Sequence, residues 1–366
     1  MPRVRRYTSL LTDRKSSVLP EMLQQLVQEL AERLVRNEPI IDEARRFTEM
    51  TAAVLPAAIA TAASEIPLLG RFYHRQPISH RLWRSVSPIE IEREALDATP
   101  GLTWLTIFHG DGRLREAALH RIGDPPPNAF LFAALAYRLN DWAEPVRIAA
   151  QACARRVFPR TPSSVVATAA LYLLTQRQHW KRWGAEAAAL DIALFRPDVV
   201  DQLASIFRAE PAGAMSSAMR QALRSPDMDR HLPALLKTAA QPAIRAIALQ
   251  SLVERRGIWP VGFRQEWLDK SLGRSRRVLA FGERPIEHAV PLTDLVSTGA
   301  ADRSAVVRKL AADALIKHAD SLVGLQETAS RLLHDPSPAV RERMDFYMRR
   351  ARGEVAWTAA PATERP

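Results

Sequence analysis

Leu332-Leu333-His334-Asp335-Pro336-Ser337-Pro338-Ala339-Val340-Arg341 is the stretch from which the fold is read. Together with Leu322 and Leu325, the two leucines give one helix an apolar face. Pro336 and Pro338 stop that helix from running on, because proline has no backbone N–H and its ring clashes with the preceding turn. Asp335 is placed to cap the next helix by accepting backbone N–H bonds near its start. Arg341 then falls one turn inside it. The stretch predicts a helix, a tight corner and a second helix.

The same corner returns along the chain. An apolar residue followed by arginine, with small or apolar residues three and four places after the first, occurs at Leu114-Arg115, Val146-Arg147, Ile244-Arg245, Val307-Arg308 and Val340-Arg341. The arginines are separated by 32, 98, 63 and 33 positions, and the two long gaps are close to three and two times 32. One period therefore accounts for every gap. Degenerate copies are expected at Lys181-Arg182, Met219-Arg220 and Arg276-Arg277, each read as part of a helical stretch, giving about eight units up to residue 350. Three copies carry an aspartate six positions before the arginine: Asp141 and Arg147, Asp302 and Arg308, Asp335 and Arg341. Small residues such as Ala149, Ala150, Ala248, Ala311 and Ala312 allow close helix packing. Alternating strand patterns are scarce while Ala, Leu, Arg, Glu and Gln dominate, so the chain reads as all-α.

Residues 332–341, and Asn140-Asp141-Trp142-Ala143-Glu144-Pro145-Val146-Arg147, resemble the turn and second helix of a HEAT repeat. The resemblance covers residues 101–350. It implies a HEAT-like α-α superhelix, a solenoid of about eight helical hairpins, in which an Asp and Arg ladder links neighbouring repeats and one face is an extended concave surface. HEAT units serve scaffolds, transport receptors, lyases and DNA-repair proteins alike, so the resemblance implies a fold and not an activity.

Residues 16–100 read as an N-terminal helical extension. Leu19, Met22, Leu23, Leu26, Val27, Leu30, Leu34 and Val35 make one stripe at a spacing of three and four. Ile41 to Leu55 and Pro88 to Ala98 continue in helix-sized pieces, and residues 70–87 read as an irregular connection. Thr51 to Gly70 is mostly uncharged, but Pro56, Glu65 and Pro67 argue for a buried, interrupted helical pair and against a membrane span. Residues 1–15 are expected to be a flexible basic arm and residues 351–366 a disordered tail. The arm is followed by no continuous apolar stretch, so no export signal is read there and a cytoplasmic location is expected.

The chain has 366 residues, 51 basic against 40 acidic, and a formal charge of +11. That makes polyanions plausible partners. Only six cations are lysines (Lys15, Lys181, Lys237, Lys270, Lys309 and Lys317). The rest are arginines, suited to phosphate or carboxylate, although an arginine-biased genome gives the same skew. Cys153 is the only cysteine, which excludes a disulfide framework and a thiolate zinc site.

Catalytic patterns are missing. No two of the nine histidines are three or four residues apart, as a helix-borne metal site wants. The His-Glu dipeptides of HEAT-type di-iron hydroxylases are absent. There is no Gly-x-Ser-x-Gly and no phosphate-cradling glycine loop, and Cys153 falls on a helix read as packed. No metal and no cofactor is expected. Binding signals are clearer. Between Arg138 and Trp183 the net charge is +6, with Arg155, Arg156, Arg160, Arg177, Lys181 and Arg182 beside Trp180 and Trp183. Between Glu254 and Pro285 it is +4, with Arg255, Arg256, Arg264, Arg276 and Arg277 around Trp259, Phe263 and Trp267. If both project from one edge they form a stripe for an acidic partner; the competing reading is that these arginines join the ladder or cap helix ends. The expected function is a non-enzymatic scaffold that binds a protein with an acidic surface or segment. The alternative is a DNA- or RNA-binding protein, including a HEAT-like DNA glycosylase with Asp191 as its carboxylate beside Trp180 and Trp183.

Overall fold

In a computed structural model of the chain, residues 17–72, 88–176, 179, 180, 182, 184, 186–319, 322 and 324–352 are described. The basic arm, most of the connection at 70–87 and the tail from residue 353 lie outside them. The chain divides into two units, one ending at Val199 and the other beginning at Val200.

In the first unit, α1 (Glu21–Val35) buries Leu23, Leu26, Val27, Leu30, Ala31 and Leu34, leaving Met22 and Val35 exposed on the far side of the stripe. Helix α2 (Ile41–Met50) is followed by two short turns and α3 (Ile59–Leu69). The segments Ile41–Ala53 and Pro56–Leu69 meet at a bend of 108°, which buries Thr51, Val54, Pro56 and Ile59. Among the described residues no single helix is long and apolar enough to cross a membrane. Helix α4 (Pro88–Ala98) sends the buried Glu92 to the buried His109, with Oε2 3.1 Å from Nε2. His109 Nδ1 accepts the Asp111 N–H at 2.9 Å, which leaves the Nε2 side of the ring facing Glu92.

Paired helices follow: α5 (Leu102–Thr106) with α6 (Gly112–Arg121), α7 (Ala129–Arg138) with α8 (Glu144–Val157), and α9 (Ser163–Gln176) with α10 (Ala187–Leu194). Helix α6 packs on α8, α8 on α10, and α7 on α9. Such non-sequential contact is that of a helical bundle or solenoid, and it lets buried alanines such as Ala118, Ala149, Ala150 and Ala154 bring helix axes close.

The second unit repeats the scheme. After α11 (Pro197–Ala209), which begins in the first unit, come α12 (Met215–Ala222), α13 (Leu232–Thr238), α14 (Pro242–Glu254), α15 (Leu292–Ala300), α16 (Ala305–Lys317), α17 (Gln326–Leu333) and α18 (Pro338–Ala351). Here α12, α14, α16 and α18 pack in series, as do α13, α15 and α17. Residues 102–351 thus hold fourteen α-helices among the described residues, and α18 takes in the first residue expected in the tail.

The five repeat arginines occupy one position. In each, Nη1 donates to the carbonyl six residues back, at 2.6–3.1 Å, from Arg115, Arg147, Arg245, Arg308 and Arg341. Three of them also reach the next aspartate with a two-pronged fork. Arg115 bonds Asp141 at 3.0 and 2.8 Å, Arg245 bonds Asp302 at 2.7 and 2.9 Å, and Arg308 bonds Asp335 at 2.6 and 2.9 Å. Each aspartate also accepts the N–H two residues on, from Ala143, Ser304 and Ser337. Arg147 departs from the row, meeting Glu186 at 3.4 Å.

The fork from Arg308 holds the Asp335 carboxyl below its ordinary range. A lowered folded value means that the pair stabilises fully above the unfolded carboxylate pKa of about 3.9, and that this share is lost as pH falls through the folded value. Asp335→Asn is therefore expected to flatten the fall of the urea midpoint on acidification below about pH 4.

Two of the expected degenerate copies are overturned. Residues 256–285, which the period assigned to a helical copy at Arg276-Arg277, form an antiparallel ribbon of β1 (Arg256–Asp269) and β2 (Arg274–Pro285). Arg245 reaches Asp302 over 57 positions, against 26 for Arg115 and Asp141 and 27 for Arg308 and Asp335. The ribbon's thirty residues are the difference. The gap of 63 is one repeat plus an insertion, and its closeness to two periods is coincidence. The degenerate copy at Lys181-Arg182 also fails as a helix: Arg182 lies in the link between α9 and α10, and Lys181 is outside the described residues.

Candidate docking ribbon

The ribbon is anchored at its base and open beyond it. Arg284 donates to the carbonyls of Leu223 and Ser225 and forks onto Asp229. Gln221 donates to the Pro260 carbonyl at 2.7 Å, and Ile286 donates to the Arg255 carbonyl at 2.9 Å. Trp259 lies across Gly282, where a Cβ would stand 2.6 Å from the indole nitrogen, so only glycine fits. Arg224 covers that indole at 5.9 Å. At the tip, the Asp269 carboxylate accepts the N–H groups of Ser271 and Leu272 and the Ser271 hydroxyl, while Gly273 supplies the positive φ of 65°.

Pairing fixes the faces. Phe263 is opposite Leu279, Gln265 opposite Arg277 and Trp267 opposite Ser275, so with Phe281 they share one side. Arg264 opposite Val278 and Glu266 opposite Arg276 form the other. Phe263 and Trp267 are 58% and 50% exposed, and Leu279, Phe281, Val261, Leu268 and Leu272 are exposed with them. Arg277 lies on the Phe263 ring at 4.3 Å. Arg276 pairs with Glu266 at 2.7 Å, and Arg256 with Glu254 and Glu283. Arg264, Lys270 and Arg274 have no acidic partner among the described residues. Of the second basic stretch, then, Arg256 and Arg276 are neutralised, Trp259 is an anchor, Arg255 closes the end of α14 in a left-handed conformation, and Arg264, Trp267 and Arg277 are presented.

The first basic stretch belongs to the other unit and does different work. Arg156 donates to the carbonyls of Leu119, His120 and Ile122, and Arg160 to that of Gly123, so both satisfy the end of α6. Arg155 is exposed on α8. Trp180 meets Tyr137 edge-on at 5.9 Å, and the Arg182 backbone N–H donates to Asn140. Arg177, Lys181 and Trp183 lie outside the described residues. Asp191, the glycosylase alternative, is half-buried on α10, where its carbonyl accepts the Phe195 N–H.

Cys153 is fully buried, and burial pushes its thiol up to about 12. A thiol so held is protonated at neutral pH and does not act as a nucleophile. Iodoacetamide is expected to leave native protein unmodified and to alkylate Cys153 completely in denaturant, read by intact mass. Among the described residues no group of three or more His, Cys, Asp or Glu is placed to hold a metal ion.

Sequence reasoning named Trp267, Arg264 and Arg277 but missed Leu268, Leu272, Leu279 and Phe281, because it placed them on a helix. Comparison of the chain with protein-family models, with curated proteins and with solved structures finds no match.

Proposed function

We propose that the protein is a non-enzymatic scaffold of HEAT-like repeats, and that the β1–β2 ribbon docks a protein partner through a segment both apolar and acidic. One observation carries this reading: Phe263, Trp267, Leu279 and Phe281 lie uncovered together on one side of the ribbon, while Arg264 and Arg274 on its other side and Lys270 at its tip have no acidic partner among the described residues. Clustered exposed apolar groups mark interaction surfaces, and a few aromatic anchors dominate affinity there. The cations at Arg264, Lys270 and Arg274 steer an acidic partner to the ribbon. A nucleic acid is less well served, since these cations alternate with Leu268, Leu272 and Val278, which phosphates do not reward. The lone cysteine fits a reducing compartment, and the cytoplasm is the location proposed.

The test is capture of a fluorescent peptide rich in glutamate and valine. Reversing Arg264, Lys270 and Arg274 together to glutamate is expected to weaken it roughly tenfold or more, about 1.4 kcal/mol, while Arg155→Glu leaves it unchanged. Tighter binding of a short DNA duplex or single strand than of the peptide, at low salt, overturns the reading.

A further inference from the structure

The two outer edges of the ribbon are unlike. Along β1 the edge is interrupted four times: Pro260 has no N–H, its carbonyl is taken by Gln221, and extra residues bulge the strand at Val261 and at Leu268. Along β2 the register runs unbroken from Arg274 to Phe281 and on to Pro285, with no residue added and no proline before the end. Apart from its pairing with β1, no backbone group of β2 before Pro285 bonds to any other described residue. In an antiparallel pair alternate residues point N–H and C=O away from the partner, so this edge is a continuous row of open donors and acceptors. Natural proteins blunt such edges, and here only one of the two is blunted.

The side chains flanking the open edge state what fits it. Leu279 and Phe281 line one face, with Arg277 drawn inward over Phe263. Arg276 and Val278 line the other, with Arg264 opposite Val278. A strand laid along β2 places alternate side chains on these two faces. Its matching sequence is apolar at one set of alternate positions, against Leu279 and Phe281, and acidic at the other, against Arg274, which shares the face of Val278 on β2 and has no acidic partner among the described residues. We propose that β2 is a strand-addition edge whose occupant is an extended segment of a partner protein, with apolar and acidic residues in alternation. The proposal rests on the scaffold reading above and gives the bound segment its conformation.

The probe is a synthetic peptide alternating glutamate and valine, compared with a block peptide of the same composition. The alternating peptide is expected to bind roughly tenfold tighter. N-methylation of every second amide in one register abolishes binding, and in the other register is tolerated, because only one set of amides faces β2. Hydrogen exchange of Val278 to Phe281 slows when the peptide is added. Arg276→Glu with Arg277→Glu weakens binding, and the exchange pattern of the free variant reports whether its ribbon is still formed. Equal affinity for the block peptide, or equal loss from both methylation registers, overturns strand addition while leaving the scaffold reading in place. Protection of β2 that rises with protein concentration alone assigns the edge to a second copy of this chain and also overturns it. Absence of binding by either peptide, or displacement of the peptide by single-stranded DNA, overturns both.

Discussion

Asp141→Ala is expected to destabilise the first unit by about 3–5 kcal/mol, the cost of leaving buried charge without its partner. Asp141 accepts four bonds: two from Arg115, one from Arg138 Nη1 at 2.8 Å and one from the Ala143 N–H at 3.0 Å. Its side chain is 1% exposed and that of Arg115 is 3% exposed. Two cations thus share one anion in the interior, and burial lowers the Arg138 pKa. The rings of Trp142 at 5.7 Å from Arg115 and Tyr137 at 5.0 Å from Arg138 offset part of the remaining charge. Without Asp141 neither guanidinium has a counter-ion there, and Arg115, at 3% exposure, is closed to water in the native packing. Asp335→Ala removes the same fork, but Arg308 is 15% exposed, so water replaces part of what is lost and the expected cost is about 1–2 kcal/mol. Urea unfolding of the two variants checks the order; an Asp141→Ala loss no larger than that of Asp335→Ala defeats the account.

Excision of the ribbon is expected to abolish peptide capture and to change thermal stability little. Arg256 and Pro285 are paired across the base, so a few glycine and serine residues can join Arg255 to Ile286. The helices on either side pack without it: α14 lies on α15 and α16, and the Arg245 fork onto Asp302 closes beneath the insertion. What is lost is the Arg284 and Asp229 pair, the Gln221 bond and the Trp259 contact. These tie the ribbon to the stack rather than the stack to itself. Calorimetry and peptide titration on one preparation decide it. Capture that survives excision places the docking surface elsewhere; collapse of the fold makes the ribbon structural.

Much of the helical part of the molecule was legible because helices such as α1 have one buried side, although α7 and α14 are buried nearly all round. Periods of three and four expose α1 in Leu23, Leu26, Leu30 and Leu34, and the arginine recurrence marks a position that geometry repeats five times. The ladder itself was supplied by resemblance, and its direction was legible in neither resemblance nor spacing, which does not tell whether Arg308 reaches Asp302 or Asp335. The ribbon was illegible for a physical reason. Both its faces meet solvent over much of its length, so selection for burial writes no alternation into it, and Arg276-Val278-Ala280 against Arg277-Leu279-Phe281 reads as neither period. Its signature lay elsewhere: Gly257, Gly262, Gly273 and Gly282, from a total of 14 glycines, surround four of the aromatics, Trp259, Phe263, Trp267 and Phe281.

The forks run one way. Arg115, Arg245 and Arg308 each engage the aspartate that follows in the chain, and Arg341 ends the row with Nη1 on the Asp335 and Pro336 carbonyls and no bond to an aspartate ahead of it among the described residues. Among the described residues, Arg341 is therefore a hook with no carboxylate on it. A duplicate of Gln326–Ala351 appended beyond α18 would bring its own copy of Asp335 within reach of Arg341, as one hook meets the next eye, whereas the same cassette placed ahead of α5 would find no waiting carboxylate.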